Sequence, residues 1–174
     1  MLECTDINPL SDEEETMRGP VVDTKSPQTT AEEASEALRR ELLARGWPTS
    51  QEVGHANANE SDTGALWAKD KRDRGELLGV WSAEEHGYRH PSFQFTSEGR
   101  LLPQVKDLLA AMAEHPDFQP DNDPGGWARA FWLHGATFAV AGSDQRARVP
   151  AEVFVEDPEI VIAAVALRNE GAAW

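Results

Sequence analysis

The chain has 174 residues, a formal net charge of −15, 40% hydrophobic residues and a single cysteine. A chain of this length holds one or two small domains, and the lone Cys4 excludes an internal disulfide and fits a reducing compartment. No apolar run reaches the roughly 18 residues of a membrane-spanning helix, and the first residues lack the basic-then-apolar pattern of a signal peptide. We therefore expect a cytoplasmic protein without a membrane partner, whose acidity disfavours nonspecific attraction to phosphate backbones.

Acidic residues are concentrated at the start of the chain. Residues 1–36 carry ten acidic side chains against Arg18 and Lys25, a local balance of −8 and about half the excess of the whole chain. No aromatic residue precedes Trp47, so this composition buries too little surface to offset its ordering entropy. We expect residues 1–30 to form a disordered acidic tail. It is either a solvating leader with no further role or a charged arm that binds a basic partner surface or repels DNA.

Three helices are predicted before the middle of the chain. The first begins at Thr30, whose side chain forms a capping box with Glu33, and ends at Gly46. A second, short helix follows at 49–56. A third runs from about 63 to 74, and its second half, KDKRDR, alternates in sign. Such alternation is typical of a solvated helix face with internal ion pairs.

A β-hairpin is predicted within the stretch GELLGVWSAEEHGYRHPSFQF, residues 75–95. Two β-rich runs, 77–81 and 88–95, flank a polar, glycine-containing connection. Pro91 cannot donate a ladder hydrogen bond, so the second strand is an edge strand or ends near it. A hairpin of this size is marginal in water and is expected to pack against helices.

The second half of the chain is predicted to be helical on both sides of a linker. Apolar residues from Leu101 to Met112 mark an amphipathic helix, and the Pro-, Asp- and Gly-rich residues 117–126 mark a linker between domains. Beyond it we expect an aromatic helix from Trp127, a helix with Pro150 at its first position, and a last helix over 159–169. The predicted domains are therefore 31–116 and 127–174.

The order of these elements resembles a known arrangement. Short helix, turn, second helix and hairpin is the order of a winged helix-turn-helix. The words TSQEV, GELLGVW and YRHPSFQF look like the excisionase- and MerR-like winged helix that precedes a toxin-binding domain in certain bacterial antitoxins. The stretch WARAFWLHGATFAVAGSDQRARVPAEVFVEDPEIVIAAV resembles the toxin-binding domain of the Xre/MbcA/ParS class. The matching positions are Trp132, Leu133, Gly142, Arg148, Pro150, Phe154 and 160–165.

This resemblance implies a mainly α fold, with a small winged helix-turn-helix, a β-hairpin wing and a small C-terminal helical domain. It implies an antitoxin that neutralises a cognate toxin through residues 127–174, forms a homodimer and represses its own operon through operator DNA. The expected DNA-binding residues are Thr63, Lys69, Lys71, Arg72, Arg74 and Arg89. The expected partner-binding residues are Trp127, Phe131, Trp132, Arg146, Arg148, Pro150 and Phe154.

The chain departs from the winged-helix pattern before the third helix. Such turns usually carry Gly, Ser and Arg, whereas residues 59–63 read NESDT. Carboxylates at this point repel phosphates and accept hydrogen bonds only from cytosine. Two alternatives follow: a transcription regulator without a toxin, and an adaptor that uses both units only for protein contacts. An exposed stripe of basic residues on the third helix favours DNA binding, and pairing with Asp70 and Asp73 favours the adaptor.

No residue pattern indicates catalysis or a cofactor. His86 and His90 have the i, i+4 spacing of a zinc pair, but this spacing needs a helix and the residues around them predict a strand. We therefore expect a metal-free pair on the surface of the wing. No nucleophile motif or phosphate-cradling loop is present in the sequence. The clustered C-terminal aromatics serve either as a small core or, in part, as a partner interface.

Overall fold

The computed structural model describes residues 30–58 and 64–169. The helices are α1 (Ala31–Leu43), α2 (Ser50–Asn57), α3 (Gly64–Asp73), α4 (Gln104–Ala113), α5 (Trp127–His134), α6 (Pro150–Glu156) and α7 (Pro158–Asn169). The strands are β1 (Val80–Ser82) and β2 (Gly87–Arg89), which form a two-stranded antiparallel sheet. The predicted mainly helical class with a small hairpin is thus confirmed. The predicted acidic tail and Thr63 lie outside the described residues.

Local capping signals fix the first two helices. Thr30 and Glu33 form the predicted capping box of α1, and Thr49 and Glu52 form one for α2. Each box satisfies backbone N–H groups that have no partner in the first helical turn. Gly46 has φ of 75°, a left-handed conformation that lets the chain reverse after α1.

Helices α2 and α3 pack through two glycines. A Cβ atom added to Gly54 would lie 1.8 Å from the carbonyl oxygen of Gly64. One added to Gly64 would lie 2.5 Å from the carbonyl oxygen of Gln51. The two backbones therefore touch where any side chain would separate them, and this contact sets the distance between α2 and α3.

The hairpin is shorter than the sequence predicts. Val80 pairs with Arg89 and Ser82 with Gly87, and β2 ends before Pro91, as expected. The expectation that the second strand continues toward Phe95 is wrong, because residues 92–94 form a 3-10 turn. This turn lets the Gln94 side chain accept from the Leu78 N–H at 2.7 Å and donate to its carbonyl at 3.0 Å. A side chain therefore satisfies the backbone that a longer strand would have paired.

Helix α4 begins three residues later than its apolar pattern predicts. Leu101 forms an isolated antiparallel bridge with Phe95, and α4 starts at Gln104 behind Pro103. Pro103 has no N–H and is suited to a helix start, whereas inside a helix it would remove a hydrogen bond. The starts of α5, α6 and α7 agree with the predicted starts to within a residue.

One apolar cluster spans both predicted domains. Leu78, Phe93 and Val105 belong to the same buried cluster as Leu133 and Phe154. Within the predicted linker 117–126, Phe118 and Asp123 are buried. The division at this linker therefore does not coincide with a break in the core. None of the helices in the described residues is both long and apolar enough to cross a membrane.

Candidate nucleic-acid and partner interfaces

The exposed cations at the end of α3 are paired with carboxylates of the same helix. Lys69 Nζ lies 2.5 Å from Asp73 Oδ2, and Arg74 Nη2 lies 2.9 Å from Asp70 Oδ1. The hydrogen bond from Lys69 lowers the pKa of Asp73. Both pairs have the i, i+4 spacing at which opposite charges interact on an exposed helix, although water and salt screen them there. Their charges are thus compensated on the helix itself.

Lys71 points to a different neighbour. Its Nζ donates to Glu76 Oε2 at 2.6 Å and lies 5.8 Å from the centroid of the Trp67 ring. The hydrogen bond from Lys71 lowers the pKa of Glu76. Lys71 therefore ties α3 to the start of the hairpin segment.

Arg72 stacks on the hairpin and has no carboxylate partner among the ion pairs of the described residues. Its guanidinium carbon lies 3.9 Å from the centroid of the Tyr88 ring, and Nη1 donates to Ser50 Oγ at 3.2 Å. Burial lowers its pKa because part of its hydration is lost. Arg72 thus connects α3 to both α2 and the wing through neutral partners.

His90 is buried, which corrects the prediction of a surface pair on the wing. Its side chain has no exposed area; Nδ1 lies 2.9 Å from the Leu78 carbonyl oxygen and Nε2 lies 3.1 Å from Ser50 Oγ. Burial lowers the pKa of His90 to about 4. The neutral ring therefore donates from Nδ1 and accepts from the Ser50 hydroxyl at Nε2. A base this weak gives Ser50 little activation at neutral pH, so the contact holds α2 against the hairpin.

Arg89 is held on the other side of the hairpin. Its Nε and Nη2 donate to the two oxygens of Glu85 at 2.5 and 2.6 Å, and Nη1 donates to the Trp47 carbonyl at 2.9 Å. These hydrogen bonds raise the pKa of Arg89 and lower that of Glu85. A two-point fork of this kind is the strongest ion-pair geometry available to arginine.

The predicted DNA-binding residues therefore do not form one stripe. Lys69, Arg72 and Arg74 line a single cleft of about 660 Å³, which Arg129 of α5 also lines. Arg89 instead borders a depression beside residues 49–51. Between residues 64 and 90 there are five basic and five acidic side chains, and four of the basic ones pair with a carboxylate. Pairing of this kind is the outcome that favours the adaptor reading of the N-terminal unit.

Three of the predicted partner-binding residues are buried in the monomer. Phe154 has no exposed area and meets Phe93 edge to face at 5.5 Å between ring centroids. Pro150 is buried at the first position of α6. Trp127 is 8% exposed and donates from Nε1 to the Trp81 carbonyl at 2.9 Å. The expectation that these three side chains contact a partner directly does not fit their burial; they form part of the core instead.

The remaining predicted partner residues are more accessible. Phe131 and Trp132 are half-buried, and Trp132 meets Phe118 edge to face at 6.3 Å. The Arg146 side chain is 84% exposed, 3.9 Å from Asp144. Arg148 Nη2 donates to Glu156 Oε2 at 2.7 Å.

Exposed apolar side chains lie on the segments that meet at Arg148. The backbone of Arg148 exchanges hydrogen bonds with Thr137, the neighbour of Phe138, which is 71% exposed. Its side chain pairs with Glu156, the neighbour of Val155, which is 62% exposed. We define the Arg148 surface as Phe138, Arg148, Val155 and Glu156. Val155 is not among the residues predicted from the sequence. The helical period of α6, which buries Val153 and Phe154, places it on the outer face.

No family model, curated protein or solved structure matches this chain. Its function is therefore argued from the geometry of its own residues and from the sequence resemblance described above.

Proposed function

We propose that this protein is an antitoxin-type binding protein that neutralises a cognate toxin in the cytoplasm by covering part of its surface. The observation that carries the proposal is the Arg148 surface, where Arg148 joins two segments that each expose a large apolar side chain, Phe138 and Val155. Isolated apolar residues are common on protein surfaces, but an aromatic residue and an arginine together are characteristic of interface centres. Their position, in the part of the chain that resembles a toxin-binding domain, supports the assignment.

The N-terminal unit is proposed to be a winged helix-turn-helix used first for protein contacts, including homodimer formation. The order α2, α3 and hairpin supports the winged assignment, and the backbone contact at Gly54 supports a fixed helix–turn–helix angle. The neutralised cations of α3 favour protein contacts over operator DNA, because carboxylates beside them repel phosphates. Operator binding, as in autoregulation or in a regulator without a toxin, is the second candidate. It is favoured by the cleft shared by Lys69, Arg72 and Arg74.

The test is capture of the partner by the full-length tagged protein in its native host. The variant Phe138→Asp/Val155→Asp should lose the partner by about 100-fold in affinity, because charges replace apolar contacts at the proposed centre. Leu66→Asp is the matched control, since Leu66 is 63% exposed on α3. The captured protein should arrest growth when expressed alone, and wild type, but not the double variant, should restore growth. Recovery of DNA alone, or of nothing, would eliminate the antitoxin proposal.

A further inference from the structure

A net positive cleft lies on this strongly acidic protein. The cleft, of about 660 Å³, lies between the end of α3, the hairpin and residues 118–126. Its charged lining consists of Lys69, Arg72, Arg74, Arg129, Asp73 and Asp123. Asp70, which lies outside this lining, pairs with Arg74. Four cations against three carboxylates therefore leave a local balance of +1 within a chain of −15. Clefts with one dominant sign concentrate the electrostatic field and attract the opposite charge.

Both carboxylates of this cleft are already engaged. Asp73 accepts from Lys69, and Asp123 accepts from Arg129 Nε at 2.8 Å and from two backbone N–H groups. Among residues 30–58 and 64–169, the one side-chain acceptor of Arg72 is neutral Ser50, and its guanidinium stacks on Tyr88. Its charge is therefore the least compensated in the cleft.

Apolar walls strengthen the attraction. Leu77, Tyr88, Leu109 and Phe118 line the cleft beside the charged residues. Low-dielectric surroundings reduce screening, so a carboxylate entering the cleft interacts with Arg72 more strongly than it would on an open surface. The cleft therefore has the chemistry of a site for an acidic polypeptide.

We propose that the acidic segment 1–29 of the same chain docks in this cleft, with the run Asp12–Glu15 opposite Arg72. The segment has seven acidic residues against Arg18 and Lys25, a balance of −5. Its charge complements the cleft, and four consecutive carboxylates supply acceptors for several cations at once. This inference goes beyond the proposed function and stands whether or not the partner is a toxin.

The chain that precedes α1 is long enough to reach the cleft, and a groove leads from α1 to it. A second groove, of about 480 Å³, is lined by Glu36 and Arg39 of α1 at one side, and it meets the cleft at Asp123 and Pro124. A flexible chain of 18 residues, the separation of Asp12 from Thr30, spans about 25 Å on average. The radius of gyration of a domain of this size is about 14 Å. Tethering on this scale gives an effective concentration near 1 mM, so even a weak contact is occupied.

Docking would make the segment a competitor of polyanions. Lys69, Arg72 and Arg74 are the same cations that the sequence predicts for DNA binding. A carboxylate run in the cleft occupies their donors and adds negative charge in front of them. The segment thus masks the basic face of the N-terminal unit, and neutralising Asp12–Glu15 should raise affinity for a nonspecific DNA duplex several-fold.

The test measures paramagnetic broadening of amide resonances in the full chain. A nitroxide is attached to the single cysteine of the variant Cys4→Ser/Ser11→Cys, next to the acidic run. We expect the amide resonances of Gly79, Tyr88 and Arg129 to lose at least about half their intensity, more than those of α6, because the tether keeps the segment close. The loss should disappear in Asp12→Asn/Glu13→Gln/Glu14→Gln/Glu15→Gln. It should also weaken at about 0.5 M salt, where the Debye length is about 4 Å.

A variant pair tests the cleft side. Lys69→Gln/Arg74→Gln alters exposed residues and should reduce the broadening, whereas the matched control Arg40→Gln/Arg45→Gln on α1 should not. Equal broadening in the wild type and the neutralised segment would overturn the proposal. So would transfer of the broadening from a labelled chain to unlabelled chains in a mixture, because the occupant would then be a second copy. Capture of a toxin does not depend on this broadening. A negative result for segment docking would therefore leave the antitoxin proposal standing, and the reverse also holds.

Discussion

Single residues decide the geometry of the N-terminal unit. Gly54 and Gly64 let α2 and α3 touch through their backbones. A Cβ added at Gly54 would lie only 1.8 Å from the carbonyl oxygen of Gly64, which is a severe clash. Backbone carbonyls cannot move aside as a flexible side chain can. His90, Ser50 and Arg72 then join the helices to the hairpin through a partly buried chain of hydrogen bonds. The packing of α2 against α3 therefore requires glycine at positions 54 and 64.

Gly54→Ala is expected to destabilise the protein by about 3 kcal/mol, because the new methyl group forces α2 and α3 apart by more than alanine gains in helix propensity. The measurement is the urea midpoint of the full-length protein. Gly87→Ala is the control, since its nearest neighbour would lie at 3.7 Å and its change should stay below about 0.5 kcal/mol. A wild-type midpoint for Gly54→Ala would show that the helix contact does not limit stability.

One buried and one half-buried histidine predict a loss of stability in mild acid. Burial lowers the pKa of both His90 and His134 from 6.5 to about 4. The unfolded chain binds their protons from pH 6.5 downward while the folded chain does not. Stability is therefore fully present above pH 6.5 and falls as pH decreases toward 4. For His90 alone the loss at pH 5 is about 2 kcal/mol.

The urea midpoint should accordingly decrease as the pH is lowered from 7.5 to 5. Carboxylates whose pKa is lowered in the folded state, such as Asp73 and Glu85, reduce stability only at lower pH. His134→Phe should reduce this slope, because it removes one titrating ring and preserves the aromatic contact with Trp47. His55→Gln, an exposed position on α2, should leave the slope unchanged. A pH-independent midpoint over this range would contradict the neutral state of both rings.

At the scale of elements, the segment predicted as a linker is packed against the helix that follows it. Gly126 has φ of 73° and approaches Gly79 so closely that a Cβ would lie 2.2 Å from its carbonyl oxygen. Asp123, 4% exposed, accepts from the N–H groups of Ala128 and Arg129 in the first turn of α5. Residues 117–126 thus dock α5 against the hairpin and cap it.

Asp123→Ala should lower the free energy of unfolding by about 3 kcal/mol, because two helix N–H groups lose their acceptor and Arg129 loses its buried partner. Calorimetry or urea unfolding measures the change. Asp121→Ala, an exposed position in the same segment, is the control and should be nearly neutral. Equal losses of unfolding free energy for the two substitutions would contradict a specific stabilising role of the Asp123 carboxylate.

At the scale of the whole molecule, one buried core includes residues of both domains predicted from the sequence. Leu108 and Met112 of α4 share a buried cluster with Val161 and Val165 of α7. A C-terminal unit of about 50 residues buries a small fraction of its surface and is only marginally stable alone. The proposed partner surface is therefore presented by a scaffold that includes the N-terminal unit.

The isolated fragment 127–174 is expected to lack a cooperative thermal transition by circular dichroism, whereas the full chain should unfold in one transition. The physical reason is that Leu133 and Phe154 would lose their partners Leu78 and Phe93 and expose apolar surface. A fragment that melts cooperatively would instead establish 127–174 as a domain in its own right. Because of this dependence, the partner is better mapped with point variants than by truncation.

Several features followed from the sequence. The capping box at Thr30, the end of β2 before Pro91 and the Pro150 start of α6 depend on neighbours within about four residues, and such local signals carry their own physical cause. The alternation of charge on α3 also predicted internal ion pairs, which Lys69 and Arg74 form with Asp73 and Asp70.

Only the tertiary structure decided which side chains are accessible. Phe154 and Trp127 appeared as interface residues, and His90 as a surface residue, because composition does not say which face of an element meets the core. Their burial depends on contacts with Phe93, Trp47 and Leu78, which lie 12 to 80 positions away in the chain. The cleft that unites Lys69, Arg72 and Arg129 likewise requires α3 and α5 to be brought together. Local sequence determines where elements begin and end; long-range packing determines which surfaces remain to bind a partner.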